Sequence, residues 1–135
     1  MSPTTFLRRP AAWLRAVSSL RATMSSGPDF GFALAAARVR AEELVGLDLS
    51  SWSMAGVCAE FVRPRTLDAF ARAFGPVGFR RAAFHPCYGL AEATLQVSGD
   101  YPLRGDRQLR VDPARLRAGE VVPAADGHAV VSCGP

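Results

Sequence analysis

The chain has 135 residues, the length of one ordinary domain, and its 49% hydrophobic and 21% charged residues support a packed core and exclude a disordered chain. Its net charge of +4 rests on 16 basic residues, every one of them arginine. Without a lysine, the chain by itself cannot complete chemistry that needs a lysine amine as Schiff base, phosphate clamp or acid/base group.

The arginines, from Arg8 to Arg117, are spread along the chain and mixed with 12 acids. No basic stripe with interleaved aromatics forms, so a nucleic-acid partner is not expected. Cys58, Cys87 and Cys133 are odd in number and widely spaced, without Cys-x-x-Cys or Cys/His ligand spacing. The spacing supports neither zinc nor a disulfide framework, and the expectation is reduced thiols in a cytoplasmic protein.

Residues Met1 to Leu20 carry Arg and Ser and no acid, but Pro3 and Pro10 interrupt them and no apolar run reaches signal-peptide length. This stretch reads as ordinary helix, and no transmembrane segment is expected anywhere. After Pro10, Trp13, Leu14, Val17 and Leu20 recur at helical spacing. Arg21 to Ser25 reads as a short strand ending at the turn of Ser26, Gly27 and Pro28. Asp29 is then placed to cap a helix over Phe30 to Val39, and Glu42 to Val45 extend that helical region.

Leu47 to Ser51 reads as a loop and Trp52 to Cys58 as a buried strand. Pro64 and Thr66 open a helix whose stripe of Leu67, Phe70, Ala71 and Phe74 belongs to the core, ended by Gly75 and Pro76. Ala82 to Phe84 reads as a strand running into a loop at His85, Pro86 and Cys87. Beyond Gly99, short strands are expected at Leu109 to Val111, Val121 to Val122 and Ala129 to Ser132, with a short helix capped by Asp112. Helices alternating with short apolar strands indicate an α/β fold with a mostly parallel sheet and flanking helices, then the start of a strand-rich subdomain. The expected division is 1–100 and 101–135.

Chemistry is expected at Tyr88-Gly89-Leu90-Ala91-Glu92-Ala93-Thr94, which follows a predicted strand and leads into a helical turn. Ligands in α/β sheets sit at the carboxyl ends of strands. A Tyr offers a flat face to a nucleobase, a contact of about 1–3 kcal/mol. A neighbouring Gly lets backbone approach a ligand, and a Glu is a hard oxygen ligand suited to Mg²⁺ beside phosphates. Taken alone, the pattern is better described as a turn with a capping Glu.

The wider run of residues resembles the fatty acyl-AMP ligases, a branch of the adenylate-forming superfamily. The resemblance is carried by FLRRPAAWLRAVSSLRAT, GPDF, GLDLSSW, AEFVRPRTLDAFARAF and GFRRAAFHPCYGLAEATLQVSG, and later by VVPA and VSCGP. Related acyl- and aryl-CoA synthetases carry Tyr-Gly-x-Thr-Glu; Ala91 in place of the Thr, followed by Ala93 and Thr94, is similar to the acyl-AMP ligase branch. The resemblance implies that Tyr88 lies against adenine, with Gly89 and Leu90 as pocket floor, Ala91 near the phosphate and Glu92 helping to hold Mg²⁺. Cys58, Ala59 and Glu60 match the loop that contacts adenine from the other side. Ser26, Gly27, Pro28, Asp29 and Phe30 match the segment flanking the acyl-binding tunnel. Trp13 and Trp52 match family aromatics and read as core or cover residues.

Two departures stand out. Val57-Cys58-Ala59-Glu60-Phe61 occupies the place of the family's Asn-Gly-Ala-Glu-Pro, which loses a Gly and a Pro, and Asp29 stands where Asn is usual and adds a negative charge near a carboxylate substrate. The family's phosphate loop with its Lys, its ribose-binding Asp and its lid with a catalytic Lys have no counterpart here. The expectation is therefore an internal fragment of the large N-terminal domain, with no catalytic residue of its own. The intact parent would use ATP (bound as ATP or AMP), Mg²⁺ and a fatty acid, and feed lipid or polyketide biosynthesis through an acyl carrier protein or polyketide synthase. The competing reading is a non-catalytic module that binds a nucleotide or a partner. His85 is expected to fill an aromatic position, Cys87 to be a buried thiol, and His128 to face solvent.

Overall fold

The computed structural model describes residues 1–100 and 103–134. Two helices open the chain, α1 (Pro3–Arg8) and α2 (Ala11–Ser19). The break falls at Pro10, after which the sequence places a helix; Pro10 lacks an N–H and serves as the N-cap of α2. Ala11, Leu14 and Val17 bury one face of α2. Strand β1 (Met24–Gly27) follows, so Ser26 and Gly27 belong to the strand rather than to a turn.

Helix α3 (Asp29–Arg38) begins after Pro28, and here the capping expectation is overturned. Pro28 is the N-cap with no side-chain cap bond, because the Asp29 carboxylate is directed elsewhere. A 3₁₀ turn at Ala41–Leu44 leads through a loop to β2 (Met54–Val57), whose Ala55, Gly56 and Val57 are buried. Helix α4 (Pro64–Phe74) starts with Pro in its first turn and buries Thr66, Leu67, Phe70 and Phe74.

Strand β3 (Phe84–Leu90) is longer than the sequence suggests: His85, Pro86 and Cys87 are strand, not loop. The strand pairs Pro86 with β2, and pairing with β4 (Leu95–Gly99) starts only at Cys87, so a residue without an N–H is tolerated at this changeover. The sheet order is β1-β2-β3-β4, parallel from β1 to β3 and antiparallel between β3 and β4. Helices α3 and α4 pack together. Trp13, Phe32, Trp52, Phe70, Phe79 and Phe84 meet in a continuous aromatic cluster.

The C-terminal part forms a second, antiparallel pair, β5 (Gln108–Val111) and β6 (His128–Val131), with α5 (Pro113–Arg117) between them. Asp112 caps α5 as expected, accepting from the N–H groups of Ala114 and Arg115. The strand expected at Val121 to Val122 does not form, and the neighbouring Pro123, which has no N–H to extend a ladder, makes only an isolated bridge to Val111. Arg81 ties this region to the rest, 2.6 Å from Asp106 and 2.7 Å from Asp68, and Val131 and Cys133 pack against the core. The expected boundary at 100/101 falls beside residues 101 and 102, outside the described residues. Among the described residues, no helix is long and apolar enough to cross a membrane.

Candidate functional site

Side chains alternate across a strand, so residues two apart share a face. Met24 and Ser26 of β1, Met54 and Gly56 of β2, and His85 and Cys87 of β3 therefore lie on one face of the sheet. The opposite face carries Ala55, Val57, Phe84 and Pro86, all buried. The first face is open over a concavity of about 450 Å³.

 The lining beyond the sheet face is thus Cys58 and Ala59 from the end of β2, Tyr88 to Ala91 from the end of β3, and Leu95 and Gln96 from β4. Tyr88, which lines the concavity, is 56% exposed.

Gly89 makes this wall possible. A Cβ at this position would collide with the carbonyl of Leu95, across the bulged pairing of β3 with β4. Ala59 holds a left-handed backbone with φ 70°, a conformation that costs a non-glycine residue about 1–2 kcal/mol. The turn around it is anchored on both sides. Cys58 N–H donates to the Gly27 carbonyl at 3.3 Å, and Phe30 N–H donates to Glu60 Oε1 at 2.7 Å.

A second, smaller concavity of about 230 Å³ is lined by Met1, Phe6, Trp13, Ser26, Gly27, Pro28, Phe30 and Gly31. Its lining is mainly apolar, and the Trp13 indole is fixed by its Nε1–H donating to Ser25 Oγ at 2.9 Å. Ser26 lines both concavities, so they meet at the end of β1.

The expected site residues therefore divide. Cys58, Ala59, Tyr88, Gly89, Leu90 and Ala91 come together in the larger concavity, and Ser26, Gly27, Pro28 and Phe30 in the smaller. Asp29, Glu60 and Glu92 line neither. Asp29 is 1% exposed and turned inward, accepting from Arg63 N–H at 2.9 Å, Arg63 Nη1 at 2.8 Å and Thr66 Oγ1 at 3.0 Å. Glu92 is exposed in the 3₁₀ turn Ala91–Ala93. It offers one carboxylate, and no group of three His, Cys, Asp or Glu suited to a metal forms among the described residues. That donor set fits Mg²⁺ only in the manner of ions held mainly by phosphate oxygens and water, with one protein carboxylate.

Sequence reasoning missed Met24, Met54, Gly56, His85, Cys87, Leu95 and Gln96 as lining residues. The signal was present for two of them: Met54 and Gly56 share with the expected Cys58 the two-residue spacing of a single strand face. His85 is 5% exposed, and its Nε2 has no hydrogen-bond partner in the structure. Cys87 is half-buried, and burial, followed by the charge of Cys58, a hydrogen bond with its thiol and the charge of Cys133, pushes its thiol up to about 11.

No protein-family profile matches the chain. Individual proteins do. The chain is 39% identical, over 99% of its length, to the medium-chain-fatty-acid–[acyl-carrier-protein] ligase TtuA of Teredinibacter turnerae, of which it covers 21%. It is 42% identical, over its full length, to the medium-chain-fatty-acid–[acyl-carrier-protein] ligase JamA of Moorena producens, covering 24% of that protein. Among solved structures it superposes with a TM-score of 0.93 and 42% identity on the fatty acyl-adenylate ligase from L. pneumophila in complex with acyl adenylate and pyrophosphate, covering 99% of this chain and 24% of that one. The chain thus spans between a fifth and a quarter of the length of these proteins. Near-complete superposition at this identity, with the aligned stretch including the Tyr88–Glu92 turn, shows that the chain is similar in sequence and fold to a segment of the fatty acyl-AMP ligases of the AMP-binding superfamily.

Proposed function

We propose that this chain supplies one wall of the nucleotide and acyl sites of a fatty acyl-AMP ligase. The intact parent would join a fatty acid carboxylate to the α-phosphate of ATP, releasing pyrophosphate and leaving an acyl-adenylate for an acyl carrier protein or polyketide synthase. The observation that carries this reading is the shared concavity of Cys58, Ala59, Tyr88, Gly89, Leu90 and Ala91, open to solvent beside an exposed tyrosine ring.

In this reading Tyr88 stacks on adenine, Gly89 and Leu90 form the floor, and Ala91 lies toward the phosphate. The Cys58–Glu60 turn faces the base from the other side; Glu60 acts through Phe30, holding the acyl-side loop in place. The apolar concavity of Phe6, Trp13, Pro28 and Phe30 supports an acyl chain entering beside Ser26–Phe30, within which Asp29 is an internal brace. Glu92 would be one ligand of Mg²⁺ carried in with the phosphates. Residues 1–100 form the nucleotide-facing unit and 101–135 the beginning of a second one, in a cytoplasmic enzyme.

The chain alone should not turn over. Electrostatic stabilisation and positioning dominate transfer at phosphorus, and a chain without lysine leaves the triphosphate largely ungripped. The test pairs two measurements on the 135-residue protein: calorimetric titration with AMP and with a non-hydrolysable acyl-adenylate analogue, and pyrophosphate exchange with ATP, Mg²⁺ and a fatty acid. Binding of the analogue without exchange supports the reading. Exchange above a blank overturns the inactivity of the chain, and no binding of either ligand removes the nucleotide wall.

A further inference from the structure

Cys58 and Cys87 are distant in sequence and adjacent in the sheet. The parallel register of β2 with β3 runs through Ala55–Phe84, Gly56–His85 and Val57–Pro86, and one residue further it sets Cys58 beside Cys87. Neighbouring strands lie about 4.8 Å apart, within the roughly 4.4–6.8 Å of Cα separation that a disulfide spans. Strand alternation turns both side chains to the same face, and both line the larger concavity. Both thiols are free and half-buried, open to a small reagent from the concavity.

A second observation marks the same place. His85, on the same face of β3, is almost wholly buried, and its Nε2 lacks a partner. It stands next to Cys87: a Cβ built on Gly99 would lie 3.0 Å from His85 Nε2 and 3.3 Å from Cys87 Cβ. In the tautomer protonated on Nδ1, Nε2 is a proton acceptor beside the thiols.

We propose that Cys58 and Cys87 are a redox-active dithiol, which closes to a disulfide across the floor of the concavity on meeting a low-molecular-weight disulfide such as oxidised glutathione. The Cys58 thiolate attacks one sulfur of the oxidant, forming a mixed disulfide and releasing one thiolate. Cys87, deprotonated toward His85 or water, then attacks the Cys58 sulfur and expels the second. Two thiol protons leave with the two glutathione thiols, and two electrons pass from the protein to the oxidant. The order follows from the local charge. Cys87 is the thiol held protonated by burial and by its neighbour, and capping Cys58 removes that neighbouring charge before Cys87 must ionise. The bridge would pin the ends of β2 and β3 beneath Tyr88, at a position where the resemblance leads one to expect a glycine in place of Cys58. This inference stands whichever ligand the concavity takes.

The test uses the full 135-residue chain, reduced, exchanged into oxidised glutathione under native conditions, quenched in acid, alkylated and peptide-mapped. The expected product has lost two hydrogens, retains Cys133 as its one alkylatable thiol, and yields a peptide joining Cys58 to Cys87 that dithiothreitol separates. The bridge persists in Cys133→Ser and is absent from Cys58→Gly, which stops at a glutathione adduct. Its formation is at least about tenfold faster in the native protein than in urea, because the fold supplies the local concentration. A Cys87–Cys133 bridge, loss of the bridge in a folded Cys133→Ser protein, or equal rates in urea would each overturn the proposal.

Discussion

Asp29 and Arg63 clasp the two loops that face the concavities: the Asp29 carboxylate takes both the backbone N–H of Arg63, at 2.9 Å, and its guanidinium, at 2.8 Å. The first turn of α3 is thereby locked to the entry of α4, and Thr66 completes the set at 3.0 Å. A buried carboxylate with these partners is costly to remove, and an amide in its place keeps one acceptor but sets its NH₂ against a donor.

Asp29→Ala is therefore expected to lower unfolding free energy by about 2–4 kcal/mol, and Asp29→Asn, which keeps one acceptor, by roughly 1–3 kcal/mol. Urea denaturation of the three proteins measures the difference. Equal midpoints for Asp29→Ala and the parent would show that the clasp contributes nothing.

Gly89→Ala should disrupt the β3–β4 hairpin, since the added methyl meets the Leu95 carbonyl, backbone that cannot swing aside. A loss of about 3 kcal/mol or more is expected. Amide exchange reads it locally: protection at β4 should fall before that of β2.

Phe70 stands at the centre of the aromatic cluster, with ring centroids 4.5 Å from Phe74, 4.9 Å from Phe79 and 5.0 Å from Phe32. Phe70→Ala should cost about 3–5 kcal/mol through lost burial and the cavity left behind. Thermal unfolding followed by tryptophan fluorescence reports it, because Trp13 and Trp52 both contact Phe70.

Tyr88→Ala should weaken binding of an adenylate analogue by about 1–3 kcal/mol while leaving stability almost unchanged, as the ring is exposed. Titration of variant and parent under one buffer checks this. Unchanged affinity would dismiss the stacking role.

The Cys87 thiol is raised from 9.0 to about 11, so the folded state keeps its proton where the unfolded chain releases it. The sign follows directly: this contribution to stability is fully present below about pH 9 and is lost as pH rises through about 11. Iodoacetamide should label Cys87 slowly near pH 8 and faster as pH climbs, and Cys58→Gly should speed that labelling by removing a neighbouring like charge. Labelling of Cys87 at the rate of a free thiol would contradict it.

The α4 stripe, the Asp112 cap and the alternation of helix with strand were legible from local chemistry, because periodicity and capping act over a few residues. So was the Tyr88–Glu92 turn, through its motif. Other features depended on contacts between distant segments. Asp29 has the composition of a cap, but Arg63 and Thr66, both far along the chain, draw its carboxylate inward. His85-Pro86-Cys87 has the composition of a loop, yet its neighbours β2 and β4 make it strand. The three cysteines looked unrelated by spacing, and the parallel register set two of them side by side.

Sequence by itself thus determined the helix stripes, the caps and the alternation of helix with strand, and carried the motif on which the resemblance rests, since all of these are encoded in neighbouring residues. Tertiary structure alone decided which side chains share the open face of the sheet and which buried charges find partners. Those pairings depend on strand register and helix docking, which join residues that no local pattern connects.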